Sequence, residues 1–167
     1  MYRSKDFSYM EVIHIKNSRV GFVRDLLLDF HKQRITGFEI SSYDLVNRRI
    51  NVMTGDVISF DNSMVIKNTS RGEHLSFNKI KGMDVIDRNG NILGMLEEVL
   101  FEERNFIIYG VVLSSGLMNN FLKGKKILLM NELMLGDRNI LWSSSSEKLN
   151  FSTMPHKVRL MTGGEGN

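Results

Sequence analysis

The sequence predicts an all-β protein made of two tandem small β-barrels related by an internal pseudo-two-fold repeat. Three observations carry this expectation. Residues 10–42 lie against residues 83–115 at a constant offset of 73, without a gap, and the identical positions include Met10/Met83, Val12/Val85, Ile13/Ile86, Gly21/Gly94, Gly37/Gly110, Ser41/Ser114 and Ser42/Ser115. Self-similarity at a fixed period marks a repeat architecture. The 167-residue chain has no alanine and one proline, while Ile, Val, Leu and Phe abound; the best helix former is missing and strand formers are plentiful. Finally, short apolar runs alternate with turns rich in Asn, Asp and Gly, the pattern of hairpins.

The second copy shows the order of elements best. A strand is expected at 83–86, then the turn Asp87-Arg88-Asn89-Gly90-Asn91, whose Asn-Gly tolerates positive φ. A long strand follows at 92–101, with Val99 and Phe101 alternating against Glu98 and Leu100. After a turn at 102–105, the nearly continuous apolar run 106–113 suits a buried strand. A loop at 114–125 leads to a strand at 126–130. A last hairpin joins 133–135 to 140–142 through Gly136-Asp137-Arg138-Asn139. The first copy repeats this at 11–15, 20–30, 35–41, 49–53, 57–60 and 64–66. After the shared Ser-Ser, about four extra residues in the second copy place Ile50 against Ile127; near the final hairpin the offset is 76, pairing Ile66 with Trp142. The paired glycines interrupt strands, where a bulge, a bend or a close backbone approach requires them, as closure of a small barrel does.

The modules are expected at 7–67 and 79–142, with a linker at 68–78 and a flexible tail at 143–167. Units this small bury modest apolar surface alone, so contact between them is expected. The absence of cysteine removes disulfides and thiolate chemistry. Neither an N-terminal signal pattern nor an apolar run long enough to span a membrane is present, so the expectation is a cytoplasmic protein. The net charge of +3 is evenly spread, with 11 basic and 9 acidic residues in 1–78 and 8 of each in 79–142. Such a balance describes a solvated surface.

The run Met83-Asp84-Val85-Ile86-Asp87-Arg88-Asn89-Gly90-Asn91-Ile92-Leu93-Gly94, then Glu98-Val99-Leu100-Phe101 and Ile108-Tyr109-Gly110-Val111-Val112, resembles the PRC-barrel family. The first copy departs from the pattern at Ile15-Lys16-Asn17-Ser18, where a D-x-x-G turn is usual, but keeps Gly21 and Asp25-Leu26-Leu27-Leu28-Asp29. The resemblance implies a strongly bent barrel acting as a bacterial interaction module. It is similar to the cytoplasmic part of the photosynthetic reaction centre H subunit and to the C-terminal domain of a ribosome maturation factor. The 167 residues show neither the transmembrane helix of the former nor the N-terminal domain of the latter, so neither specific role is expected to transfer directly.

Candidate chemistry is sparse. His14, His31, His74 and His156 form no ligand motif, so no metal or cofactor is expected. Glu97, Glu98, Glu102 and Glu103 face alternate sides and lack an accompanying nucleophile, so no enzyme is expected. Arg24 occupies the position of Glu97, which suggests an ion pair between the repeats. Arg48, Arg49, Lys123, Lys125 and Lys126 occupy corresponding strand entrances and are candidate phosphate contacts, against a solubilising role. Leu117, Met118 and Phe121 lie in an apolar loop, a candidate docking patch for a protein, against burial at a barrel end. In the tail, Phe151, Met154, Val158, Leu160 and Met161 suit a short docking segment. The expected function is therefore that of a non-enzymatic adaptor with a protein partner. The alternative is a ribosome- or RNA-associated assembly factor, and self-association into a homo-oligomer is compatible with both.

Overall fold

The computed structural model describes residues 1–44, 46, 49–114 and 125–143. The first repeat contributes β2 (Glu11–His14), β3 (Arg19–Asp29), β4 (Arg34–Ser42), β5 (Arg49–Met53), β6 (Val57–Phe60) and β7 (Ser63–Ile66). They hydrogen-bond in the order β5-β4-β3-β2-β7-β6. The second contributes β8 (Asp84–Ile86), β9 (Ile92–Phe101), β10 (Ile108–Ser114), β11 (Lys126–Leu129), β12 (Leu133–Leu135) and β13 (Asn139–Trp142), in the order β11-β10-β9-β8-β13-β12. Each sheet contains one parallel pair, β2 with β7 and β8 with β13. In each, the two end strands of the ladder are joined by a three-residue 3-10 turn, Thr54–Asp56 or Met130–Glu132. So short a link holds the ends of the ladder together and makes the sheet curl.

The repeated glycines serve close approach. A Cβ at Gly21 would lie 2.1 Å from the Ser41 carbonyl oxygen, and one at Gly94 2.7 Å from that of Ser114. At Gly37 and Gly110 it would lie 2.5 Å from the carbonyl oxygens of Val52 and Leu128. The obstacle in every case is backbone, which cannot step aside as a flexible side chain can. Gly37 pairs with Met53, and Gly110 with Leu129. The offset is therefore already 76 at β5, and Ile50 corresponds to Lys126, not Ile127. The insertion is three residues, the difference between 76 and 73.

A feature outside the matched window joins the repeats. The strand β1 (Tyr2–Arg3) pairs not with its own repeat but with β9, Tyr2 opposite Phe101 and Arg3 opposite Leu100. The equivalent residues of the second repeat pair back: Leu28 N–H donates to the Leu75 carbonyl (2.9 Å), and Leu27 bridges Ser76. Thus each repeat lends its leading segment to the other's sheet. Behind these strands come a 3-10 turn at Ser4–Phe7 and the short helix α1 (Phe77–Ile80), again 73 residues apart, burying Phe7 and Ile80. The segment 68–78, expected as a linker, also adds Ser70 to the edge of β5, bonded both ways to Asn51 (2.8 and 2.9 Å).

The pseudo-two-fold axis passes between two hairpin turns. Ile35 N–H donates to the Phe106 carbonyl and Ile108 N–H to the Gln33 carbonyl, both at 2.8 Å. These two bonds exchange under the 73-residue offset. Positive φ recurs with the same spacing at Tyr9/Gly82, Asn17/Gly90 and Gln33/Phe106. One apolar core runs through both repeats. At its centre Phe7 packs against Phe38 (5.3 Å between ring centroids), Phe60 (5.0 Å), Phe101 (5.5 Å) and Tyr2 (5.3 Å). Because the exchanged segment covers the outer side of β9, Glu98, Val99, Leu100 and Phe101 are all buried. The expected alternation of buried and exposed residues fails there.

Candidate functional site

The first repeat displays an aromatic row. Phe22 stands in β3 opposite Glu11 of β2 and Ser41 of β4. Backbone bonds from Tyr9 N–H to the Val23 carbonyl (2.9 Å) and from Tyr43 N–H to the Val20 carbonyl (3.0 Å) bring two tyrosines beside it. The Phe22 ring lies 6.2 Å from that of Tyr9 and 6.3 Å from that of Tyr43. Tyr9 is 81% exposed and Tyr43 54%. An exposed aromatic held at φ 65° departs from local preference without gaining burial. The second repeat has Gly82 and Met95 at these positions. This aromatic row is not among the candidates read from the sequence. The signal available was the substitution of tyrosine for the glycine of the other copy.

The basic candidates that can be placed are engaged with groups of their own repeat. Arg49 and Arg24 both approach Glu39, with N–O distances of 3.7 and 3.8 Å. Lys125 pairs with Glu97 at 2.5 Å, and Lys126 donates to the Leu93 carbonyl at 3.1 Å. At the structural offset of 76, Arg49 corresponds to Lys125, so the cation keeps its place while the carboxylate moves from β4 to β9. The expected ion pair between Arg24 and Glu97 is not formed, because each meets a nearer opposite charge within its own sheet. Such partly exposed pairs contribute about 0–1 kcal/mol each. The antiparallel bridge between Arg34 and Ile107 sends β4 and β10 away from the axis in opposite directions. Arg49 and Lys126 pair with the far ends of those strands, at Ser41 and Leu113. The two strand entrances therefore diverge. Arg48, Leu117, Met118, Phe121 and Lys123 lie outside the described residues, as do the apolar tail positions.

Two buried carboxylates anchor the exchanged segments. Asp25 accepts the Asn78 N–H at 2.9 Å, in the first turn of α1. Its repeat counterpart Glu98 accepts the Ser4 hydroxyl at 3.0 Å. Each carboxylate thus holds the segment lent by the other repeat. A small cleft of about 60 Å³ lies between these segments, lined by Ser4, Lys5 and Ser8 and by their counterparts Phe77, Asn78 and Lys81. A shallower polar depression of about 300 Å³ lies beside Ser42 and Ser70. Among the described residues, no three His, Asp or Glu side chains are grouped to hold a metal ion, and no helix is long and apolar enough to cross a membrane.

The paired sheets, the recurring glycines and the bent long strands are the setting for a comparison with known families. The PRC-barrel domain matches twice, at residues 1–71 and 72–141. The chain belongs to the PRC-barrel family. The junction of the two PRC-barrel matches falls inside the segment 68–78. PRC-barrel domains are general protein-interaction modules, and the family is not known for enzymatic activity. No curated protein matches this chain.

Proposed function

We propose that this tandem PRC-barrel protein is a cytoplasmic, non-enzymatic adaptor whose first repeat docks a protein partner through Tyr9, Phe22 and Tyr43. The observation that carries the reading is the exposed aromatic row on one repeat, where the other offers glycine and methionine. Aromatic side chains supply large contact area at low entropic cost and dominate protein interfaces. The apolar loop with Leu117, Met118 and Phe121 is the corresponding candidate on the second repeat. The RNA- or ribosome-linked reading relies on Arg48, Arg49, Lys123, Lys125 and Lys126. It draws less support, since Arg49 and Lys125 already face carboxylates.

The test is affinity capture from source cells, with and without ribonuclease and at low and high salt. A stoichiometric protein that survives both treatments, and is lost with Phe22→Ala and Tyr43→Ala, supports docking. Ribosomal components that vanish with ribonuclease, and with neutralisation of Arg49, Lys125 and Lys126, refute it in favour of the RNA-linked alternative.

A further inference from the structure

We infer that residues 1–8 form an exchangeable arm, and that the groove holding this arm on the second repeat accepts the same arm from a second copy of the chain. The seated arm displays the chemistry of its groove. Tyr2 and Arg3 add to the β9 edge at Phe101 and Leu100. The Ser4 hydroxyl donates to buried Glu98 at 3.0 Å. The Tyr2 ring meets Phe60 at 5.6 Å, and Phe7 is fully buried among aromatic rings from both repeats. Every one of these contacts is between the arm and residues distant in sequence, so a second chain can supply the arm without altering the groove.

The connection between arm and body is the hinge. Met10 N–H donates to the Phe7 carbonyl at 3.1 Å, closing a tight turn through Ser8 and Tyr9. Tyr9 holds φ 65° there, a conformation that an L-residue other than Gly, Asn or Asp adopts at a cost. The second repeat turns the same corner with Gly82, at φ 84°. Its equivalent segment, 75–80, is already lent across the axis within one chain, so the groove geometry is one that the molecule uses twice. Exchange of an identical element between copies reproduces the closed contacts, leaving hinge strain to oppose the entropy of association. Short strained hinges favour exchange. Straightening Tyr9 relieves that strain.

The chain has no cysteine, so introduced thiols report cleanly. One tagged full-length chain carries Arg3→Cys and a second, differently tagged, carries Leu100→Cys; the two positions face each other in the β1–β9 pair. The chains are unfolded together, refolded and oxidised. The expected product is a covalent heterodimer whose yield rises with protein concentration. Placing Tyr9→Gly in both chains relaxes the closed hinge and lowers the yield about tenfold. A chain carrying both cysteines is the control, and closes its own link at low concentration. If that control closes but no heterodimer forms at any concentration, the exchange is overturned. A control that fails to close removes the arm from its groove and overturns it as well, as does a heterodimer yield insensitive to Tyr9→Gly.

Discussion

Phe7→Ala is the sharpest probe of whether the two repeats form one cooperative body. Phe7 has no solvent exposure and touches Tyr2, Phe38, Phe60 and Phe101. Phe101 belongs to the second repeat, while Phe38 and Phe60 belong to the first. Truncation removes the transfer free energy of a buried ring and leaves a cavity, for a loss of about 3–5 kcal/mol. That is a large share of the roughly 5–15 kcal/mol available to a folded protein. With a urea slope of about 2 kcal/mol/M, the midpoint falls by roughly 2 M. The assay is equilibrium urea unfolding read by far-UV circular dichroism and by fluorescence of Trp142, the single tryptophan, in β13 of the second repeat. Both signals should move together, although Trp142 has no aromatic contact with Phe7. Tyr43→Ala, on the exposed aromatic row, should stay within about 0.5 kcal/mol of the parent. A Trp142 midpoint that stays in place while the circular dichroism splits into two transitions refutes the single core. A loss below about 1 kcal/mol refutes the packing argument.

Three further outcomes follow from the geometry. Gly37→Ala and Gly110→Ala should each lower stability by about 2 kcal/mol or more, since the new Cβ would press on a carbonyl oxygen at 2.5 Å; equal losses by calorimetry support the repeat, and a neutral result at either site contradicts it. A double-mutant cycle between Ser4→Ala and Glu98→Leu, which removes the acceptor, should give a coupling of about 1 kcal/mol, and an additive pair would show that their hydrogen bond contributes nothing. The Tyr2 phenol has a pKa raised above its ordinary value, first by burial and then by Glu103, Asp61 and Asp6. Its folded form therefore holds the proton more tightly than the unfolded chain, and the associated stability is complete below about pH 10 and lost as pH rises through the folded value. Above that pH the parent should lose stability faster than Tyr2→Phe, and identical pH profiles in thermal unfolding would remove this contribution.

Much of the architecture was legible because its signals are local. Strand positions follow from apolar periodicity, and the hairpin turn at Asn89-Gly90 follows from residues that tolerate positive φ. The glycine pairs announced close approach, since strands rarely carry glycine without such a need. The register after the Ser-Ser pair was harder. Ile50 matches Ile127 by residue type, whereas hydrogen bonding places it against Lys126, because pairing follows the ladder from Gly110↔Leu129 and not side-chain likeness. The alternation at Glu98–Phe101 misled for a related reason. A strand covered on both faces loses its period-two pattern, and the covering segment is some 95 residues away in sequence.

The candidate site was only partly readable. Tyr43 lies between the strands expected at 35–41 and 49–53, but Tyr9 and Phe22 join it through hydrogen bonds and strand pairing that no spacing rule displays. Similarly, the opposite charges at Arg24 and Glu97 suggested a bond across the axis, yet Glu39 and Lys125 are nearer. By itself the sequence determined that the chain is β and where its strands and tight approaches lie, because those properties depend on residues within a few positions of one another, and that it is a repeat, because the same local pattern recurs at a fixed offset. The tertiary structure alone decided that the leading segments are exchanged, that Asp25 and Glu98 hold them, and that one aromatic core serves both repeats. Those features join residues many tens of positions apart through backbone pairing and burial, which are set by how the chain closes in space.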